Sequence, residues 1–306
     1  MTAAACIRCG APRAAGPECP SCGVIYERAE RLAERRSAEP RQPASAAAVF
    51  SRQQSLEDAR LELRLAKLGV PIALLSCWVL VQTGIGGFVL RTFGSMWLHE
   101  LGHAAAAWLC GFPAFPGPWL TVISEERSLM FGLLLTAGAG SVLWRAHQEQ
   151  QTWLAGGAIA FVVLQLFCSF AVRYPIALLF ITWSGDAGAM VFGAALMATF
   201  FAPPGHKLHR DWLRWGFLVI GAAGFTDVFH VWWSARSDHS KVPLGEYSHG
   251  DADPWKLLMN GWPIPVIIDR YLAVGILALI ALVVLYVLNL GWTRARLQAI
   301  EAGELP

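Results

Sequence analysis

The chain has 306 residues, of which 55% are hydrophobic and 15% are charged, and its mean hydropathy is +0.45. This composition excludes an ordinary soluble domain and places the chain among membrane proteins. The formal net charge of +2 points to no particular partner. The sequence has no phosphate-binding loop, no dinucleotide-binding fingerprint and no basic patch, so we expect no nucleic-acid partner.

Four cysteines near the N-terminus form two CxxC pairs, each followed by a glycine. The stretches CIRCG and CPSCG contain Cys6, Cys9, Cys19 and Cys22. Four thiolates can complete a tetrahedral zinc shell, which supplies folding energy that so short a segment cannot obtain from a core. We predict a structural zinc ribbon at residues 1–25, with two disulfides or four free thiols as the alternatives. No secretion signal opens the sequence, so we expect a cytoplasmic N-terminus with reduced thiols.

Residues 26–66 are predicted to be a linker followed by a lead-in helix. The stretch AERRSAEPRQPASAAA is rich in alanine, proline, serine and charge and lacks an apolar period, which is typical of a spacer. After it, Ser55 and Asp58 have the spacing of a capping box. The helix that follows either lies on the membrane surface or leads into the first span.

Seven apolar segments approach the roughly 20 residues that a helix needs to cross a bilayer. They are residues 68–90, 93–112, 128–144, 152–172, 174–202, 211–235 and 271–290. Six crossings would place the basic stretches HKLHRDWLR and TRAR in the cytoplasm, whereas seven would place both outside. We therefore predict an all-α polytopic membrane protein with about six transmembrane helices at 67–292 and a tail at 293–306. The short, small-residue-rich segment 128–144 is the one expected not to cross fully.

The stretch WLHELGHAAAAWLCG, residues 97–111, places three ionisable residues in an apolar segment. Each costs about 3 kcal/mol at membrane depth on insertion scales, so their presence calls for a function. On a helix, His99 and His103 project from one face and can bind one zinc ion, beside Glu100. Zinc lowers the pKa of water, and a carboxylate can pass the released proton to a leaving amine. We predict His99 and His103 as zinc ligands and Glu100 as the catalytic base; polar contacts between helices are the alternative.

The segment HELGHAAAAWLCG resembles the metal-binding helix of the site-2 protease family of intramembrane zinc metalloproteases. The resemblance covers mainly residues 93–202. It implies a helical bundle that cleaves other proteins within or beside the membrane, with a third zinc ligand from an aspartate on a later, broken helix. The family's usual signature at that place, Asn and Pro ahead of Leu-Asp-Gly, is not found in this sequence.

The stretch FITWSGDAGAMVFGA offers Asp186 in its place. Asp186 lies between Gly185 and Gly188, where glycine can break a helix and expose its backbone beside a cavity. An aspartate there either completes the zinc site or caps the half-helix that follows it. We predict Asp186 as the third zinc ligand.

A competitor of Asp186 and a polar loop lie further along the chain. Asp227 and His230 lie three residues apart on one helix face, where they act as ligands, support a zinc-bound histidine, or form a buried pair. The stretch SDHSKVPLGEYSHGDADPW carries Asp238, His239, Glu246, His249, Asp251 and Asp253. The alternatives for this loop are a second metal site and a gate for the substrate. Its irregular spacing matches no ligand pattern, so we predict a solvated loop there.

These observations predict a zinc metalloprotease that hydrolyses a peptide bond of a membrane-associated protein. Its cofactors are two zinc ions, one catalytic and one structural. The alternatives are a membrane zinc hydrolase of a small or lipidic substrate and a non-catalytic zinc-binding scaffold. By analogy with adaptor domains, the ribbon docks a substrate or a regulator. The expected location is a multi-pass protein of a bacterial inner membrane.

Overall fold

The structure is a computed structural model that describes residues 5–38, 46–209, 212–245 and 252–304, without the side chains of 33–52 and 153. It divides into two compact units, one of residues 1–58 with 299–306 and the other of residues 59–298. Each unit is described by itself. Part of the predicted spacer, residues 39–45, lies outside the described residues, as do Glu246, His249 and Asp251.

The first unit contains two tight turns, one for each CxxC pair. Isolated antiparallel bridges join Ala5 to Pro12 and Glu18 to Ile25. Gly10 and Gly23, which follow the pairs, have φ angles of +74° and +68°, a conformation that a residue without a Cβ adopts at little cost. Helix α1 follows at Tyr26–Ala38, so the first residues of the predicted spacer are helical.

The remainder of the described chain is mostly helical. After α2 at Ala46–Val81, the helices are α3 at Gly84–Leu90, α4 at Met96–Leu109, α5 at Leu129–Gln148, α6 at Thr152–Leu166, α7 at Tyr174–Ala198, α8 at Leu213–Ala235, α9 at Asp253–Met259 and α10 at Ile264–Ala302. Turns of π-helix at Arg91–Ser95 and Phe167–Ala171 join α3 to α4 and extend α6. Short 3-10 turns lie at Thr199–Phe201, Lys207–His209 and His239–Lys241.

Six helices in the described part of the chain are long and apolar enough to cross a membrane, which is consistent with the predicted multi-pass protein. They comprise Gln53–Val81, Leu129–Gln148, Leu154–Ala171, Tyr174–Phe201, Leu213–Ala235 and Ile264–Ala302. Segment 128–144 was expected not to cross fully, but the helix it belongs to, α5, extends to Gln148 and is long and apolar enough to cross. The helix of the HELGH motif is not among them, because α4 has only 14 residues.

The prediction of an all-α fold is also corrected at one place. Strands β1 at Ala114–Pro116 and β2 at Thr121–Ile123 form an antiparallel hairpin in which Phe115 pairs with Val122. The hairpin follows α4 directly and packs against it. It therefore lies beside the helix that carries the motif.

Helices α4 and α7 pack closely because glycines meet at their crossing. A Cβ atom on Gly188 would lie 2.4 Å from the Cα of Gly102, and one on Gly102 would lie 2.2 Å from the carbonyl oxygen of Ser184. The expected helix break at Gly185 and Gly188 is wrong, since α7 runs unbroken from Tyr174 to Ala198. These glycines allow a close approach between helices.

Candidate metal-dependent active site

Three helices bring the candidate side chains together: α4 carries His99 and His103, α7 carries Asp186, and α9 carries Asp253. The imidazoles occupy the space left by a missing side chain on α7. A Cβ atom on Gly185 would lie 2.5 Å from Cε1 of His99 and 2.6 Å from Nε2 of His103. Glycine is therefore required at position 185 if both rings are to pack against α7 in this way.

Three ligand-type atoms converge at this point. Nε2 of His99 lies 3.0 Å from Nε2 of His103. Oδ2 of Asp253 lies 3.1 Å from the first nitrogen and 2.9 Å from the second. His99, His103 and Asp253 thus form a group that could hold a metal ion.

The other nitrogen of each ring is fixed by an acceptor on α7. Nδ1 of His103 lies 2.8 Å from the carbonyl oxygen of Ile181, and Nδ1 of His99 lies 2.8 Å from Oδ1 of Asp186. Because a carbonyl or carboxylate oxygen accepts hydrogen bonds, each Nδ1 carries the proton and donates it. In the neutral rings both Nε2 lone pairs then point into the cluster, toward a carboxylate oxygen. Such a convergence of lone pairs suits a cation.

The spacing fits a small divalent ion. Ligands of a tetrahedral zinc ion with bonds of about 2.0–2.1 Å lie roughly 3.3 Å apart. The three separations here are 3.0, 3.1 and 2.9 Å. A slight opening of the cluster would accommodate the ion, and two imidazoles with one carboxylate form a donor set typical of catalytic zinc.

Asp186, predicted as the third ligand, lies on the far side of His99 from the cluster. Its Oδ1 accepts the bond from Nδ1 of His99, and its Oδ2 accepts a bond of 2.8 Å from Nε1 of Trp232. The Trp232 ring stacks on Tyr271 with ring centroids 4.2 Å apart. In this arrangement both Asp186 oxygens are occupied, and the carboxylate orients the His99 ring.

Asp253 was not singled out from the sequence as a ligand, because the stretch that contains it has no periodic pattern. The structure places it at the start of α9, where Pro254 favours the first turn and Leu257 is fully buried. Burial opposes ionisation of Asp253, but with no metal bound the hydrogen bonds donated by Nε2 of the protonated His103 and His99 rings outweigh it, so the pKa of this carboxyl lies well below its ordinary value. The proline that follows Asp253 was the available sequence signal for a helix start.

Glu100 is 5% exposed and faces the hairpin. The hydroxyl of Thr121, in β2, lies 2.7 Å from Oε2 of Glu100 and 2.8 Å from its backbone oxygen. A cavity of about 580 Å³ is lined by Glu100, His99, His103 and Asp253, together with residues of the hairpin. The predicted base and the candidate ligands thus share one cavity.

Asp227 and His230 do not join the cluster. Oδ2 of Asp227 accepts bonds of 2.5 Å from the Ser95 hydroxyl and 3.3 Å from Nε of Arg91. The ring of His230 packs edge-on against Trp78, with centroids 5.3 Å apart. Within the described residues, no hydrogen bond joins Asp227 to any histidine.

The four N-terminal cysteines form a second candidate metal centre. Their sulfurs are 3.8 Å apart for Cys6 and Cys22 and 3.7 Å apart for Cys9 and Cys19, and the thiols are free. Sulfurs bound to tetrahedral zinc at about 2.3 Å lie roughly 3.8 Å apart. Burial raises the pKa of the Cys19 thiol, but hydrogen bonds with the Ser21 backbone and the Tyr26 side chain outweigh it and lower that pKa to about 6. The thiolate is the form that binds a metal.

Comparison with known proteins adds no assignment: the chain matches no family model, no curated protein and no solved structure.

Proposed function

We propose that the chain is a membrane-embedded zinc hydrolase of site-2 protease type that cleaves a peptide bond of a membrane-associated protein. The observation that carries this proposal is the convergence of His99, His103 and Asp253 on one point of a cavity that also holds Glu100. The motif's resemblance to the metal-binding helix of that family supports it. In this proposal Asp253 replaces Asp186 as the third ligand.

A bound zinc ion would polarise a carbonyl oxygen and lower the pKa of water. The protein's own groups then have distinct tasks. Glu100 takes a proton from water and delivers it to the leaving amine, and the Thr121 hydroxyl holds its carboxylate in place. Asp186 keeps the proton of His99 on Nδ1, so that Nε2 stays available as a ligand.

The hairpin favours a peptide over a lipid as the substrate. A two-stranded sheet has outer edges with unpaired backbone groups, to which an extended peptide can add as a further strand. Thr121 ties this hairpin to Glu100. A peptide aligned in this way would lie extended beside the candidate base, with its carbonyl groups free of helical hydrogen bonds.

The test is hydrolysis of labelled membrane-protein segments by the zinc-loaded full-length protein and by Glu100→Gln. General-base catalysis contributes about 10²–10⁴-fold, so kcat should fall by that factor while the zinc content is unchanged. Arg236→Gln, at the exposed residue that follows α8, serves as the control and should keep full activity. A Glu100→Gln protein that cleaves as fast as the wild type would overturn the proposal. Cleavage of a lipid analogue but of no peptide would overturn the assigned substrate class.

A further inference from the structure

A row of polar side chains leads away from the candidate metal ligands. Arg91, Ser95, His99 and His103 follow one another at intervals of four residues, and all four line the same cavity. Residues four apart share a face of a helix. The π-helical turn at Arg91–Ser95 begins the row, and such turns are frequent at functional sites.

Arg91 is held in place by a buried carboxylate. Its Nε donates to Oδ2 of Asp227 at 3.3 Å, and the same oxygen accepts from Ser95 at 2.5 Å. The Asp227 side chain is 4% exposed, whereas that of Arg91 is 46% exposed. Asp227 therefore anchors the guanidinium at one nitrogen, and the rest of the half-exposed Arg91 side chain lines the cavity.

The free end of this guanidinium has the geometry of a carboxylate receptor. Within the described residues, the two terminal nitrogens of Arg91 make no hydrogen bond. Paired terminal nitrogens form a planar fork that binds a carboxylate through two parallel bonds. A cation among apolar helices costs free energy, so its presence there indicates a functional role. In the described part of the chain, no hydrogen bond joins Arg91 to a candidate metal ligand.

The position of Arg91 excludes the scissile bond itself as the group it binds. Eight residues separate Arg91 from His99, which is a rise of at most about 12 Å, because the π-helical turn at Arg91–Ser95 rises less per residue than an α-helix. An extended substrate advances about 3.3–3.6 Å per residue. The guanidinium is thus offset along the helix from the candidate ligands, and its fork addresses a group one to three residues away from the bond at the metal.

From these observations we infer that Arg91, positioned by Asp227, is a binding site for a substrate carboxylate one to three residues from the scissile bond. The carboxylate belongs to an aspartate or glutamate side chain or to the C-terminus of the substrate. This inference rests on the proposed function. A carboxylate-binding site at Arg91 makes the hydrolase selective for acidic or chain-terminal sequences.

The test measures the binding of four hexaalanine-based peptides to the zinc-loaded Glu100→Gln protein, in which turnover is slowed by about 10²–10⁴-fold. Two of them, acetyl-hexaalanine as a free acid and as an amide, probe the terminal carboxylate. The other two, amidated peptides with glutamate or glutamine at the fifth position, probe a side-chain carboxylate. Hydrogen bonds to charged groups predict roughly tenfold to hundredfold tighter binding of at least one acid than of its neutral partner.

The role of Arg91 is tested by adding Arg91→Gln to the Glu100→Gln protein. The preference should disappear, while Arg236→Gln in the same background should retain it. Because Arg91→Gln leaves the buried Asp227 uncompensated, the double change Arg91→Gln with Asp227→Asn provides a neutral pair and should give the same result.

Three outcomes overturn the inference while leaving the proposed function intact. The first is equal binding of acids and neutral partners, and the second is no measurable binding of either acid. The third is a preference that survives Arg91→Gln. All three are measured with zinc bound at the motif, so a protein that binds no zinc there contradicts the proposed function instead.

Discussion

The two imidazoles of the motif differ in what holds their second nitrogen, although both acceptors belong to α7. His103 donates to the backbone carbonyl of Ile181, and His99 donates to the carboxylate of Asp186. A carboxylate partner fixes the ring and also makes its other nitrogen a more basic ligand. His99 should therefore depend on its partner side chain, whereas no side-chain substitution removes the acceptor of His103.

Replacing Asp186 with asparagine should weaken the candidate metal site without eliminating it. The amide oxygen can still accept from Nδ1 of His99, but the charge is lost. Substitution of such an outer partner typically lowers metal affinity by about 10–100-fold. Competition with a zinc chelator measures this affinity. Complete loss of the metal in Asp186→Asn would instead make Asp186 a direct ligand, as the sequence alone predicted.

At the residue scale, the sequence predicted His99, Glu100 and His103 because HExxH spacing has a direct geometric meaning on a helix. Asp253 escaped prediction because it lies in an irregular stretch and reaches the histidines only through the tertiary packing of α9 on α7. Asp186 was predicted as the third ligand, but its orientation behind His99 depends on Trp232, which is 46 residues away in sequence. Contacts between residues that are far apart in the sequence leave no local pattern in it.

At the scale of elements, glycines position α4 against α7 and leave room for the two rings. The sequence analysis interpreted Gly185 and Gly188 as a helix break, since glycine is unfavourable inside a helix. Packing decides otherwise, because each glycine faces a neighbouring helix at a distance that a Cβ atom would violate. Periodicity alone cannot distinguish a glycine that breaks a helix from one that allows a neighbouring helix to approach closely.

Replacing Gly185 with alanine should therefore displace the His99 ring and abolish metal binding at the motif. The added methyl group would lie 2.5 Å from Cε1 of His99. Gly156→Ala is the matched control, because a Cβ atom at that helical position meets no atom within 4 Å. Zinc analysis should show the loss of one metal ion in Gly185→Ala only. The free energy of unfolding should likewise fall only in that variant. Equal metal content in the two variants would contradict this packing.

The β-hairpin was not predicted because its strands, Ala114–Pro116 and Thr121–Ile123, have only three residues each. Alternation cannot be recognised over so few residues, and the intervening stretch is rich in proline and glycine. The hairpin nevertheless places Thr121 against Glu100. An element too short for its sequence to predict thus contributes to the candidate site.

At the scale of the whole molecule, composition predicted a mostly helical chain with six helices able to cross a membrane, because apolar length is a strong signal. The sequence analysis was wrong about which segments form these six helices. The HELGH helix interrupts its apolar run with ionisable side chains, and α4 is short. The candidate metal centres lie in separate units of the chain, and the cysteine centre shares no ligand with the histidine centre.

The measurement that tests the account most directly is zinc counting in the 306-residue chain after its four-cysteine centre is disabled by Cys19→Ser and Cys22→Ser. One zinc ion per chain should remain, with a shell of nitrogen and oxygen and no sulfur in its X-ray absorption spectrum. Adding Asp253→Ala should remove that ion. Zinc retained at full occupancy without Asp253, or no zinc in the cysteine-disabled protein, would contradict a metal centre built from His99, His103 and Asp253.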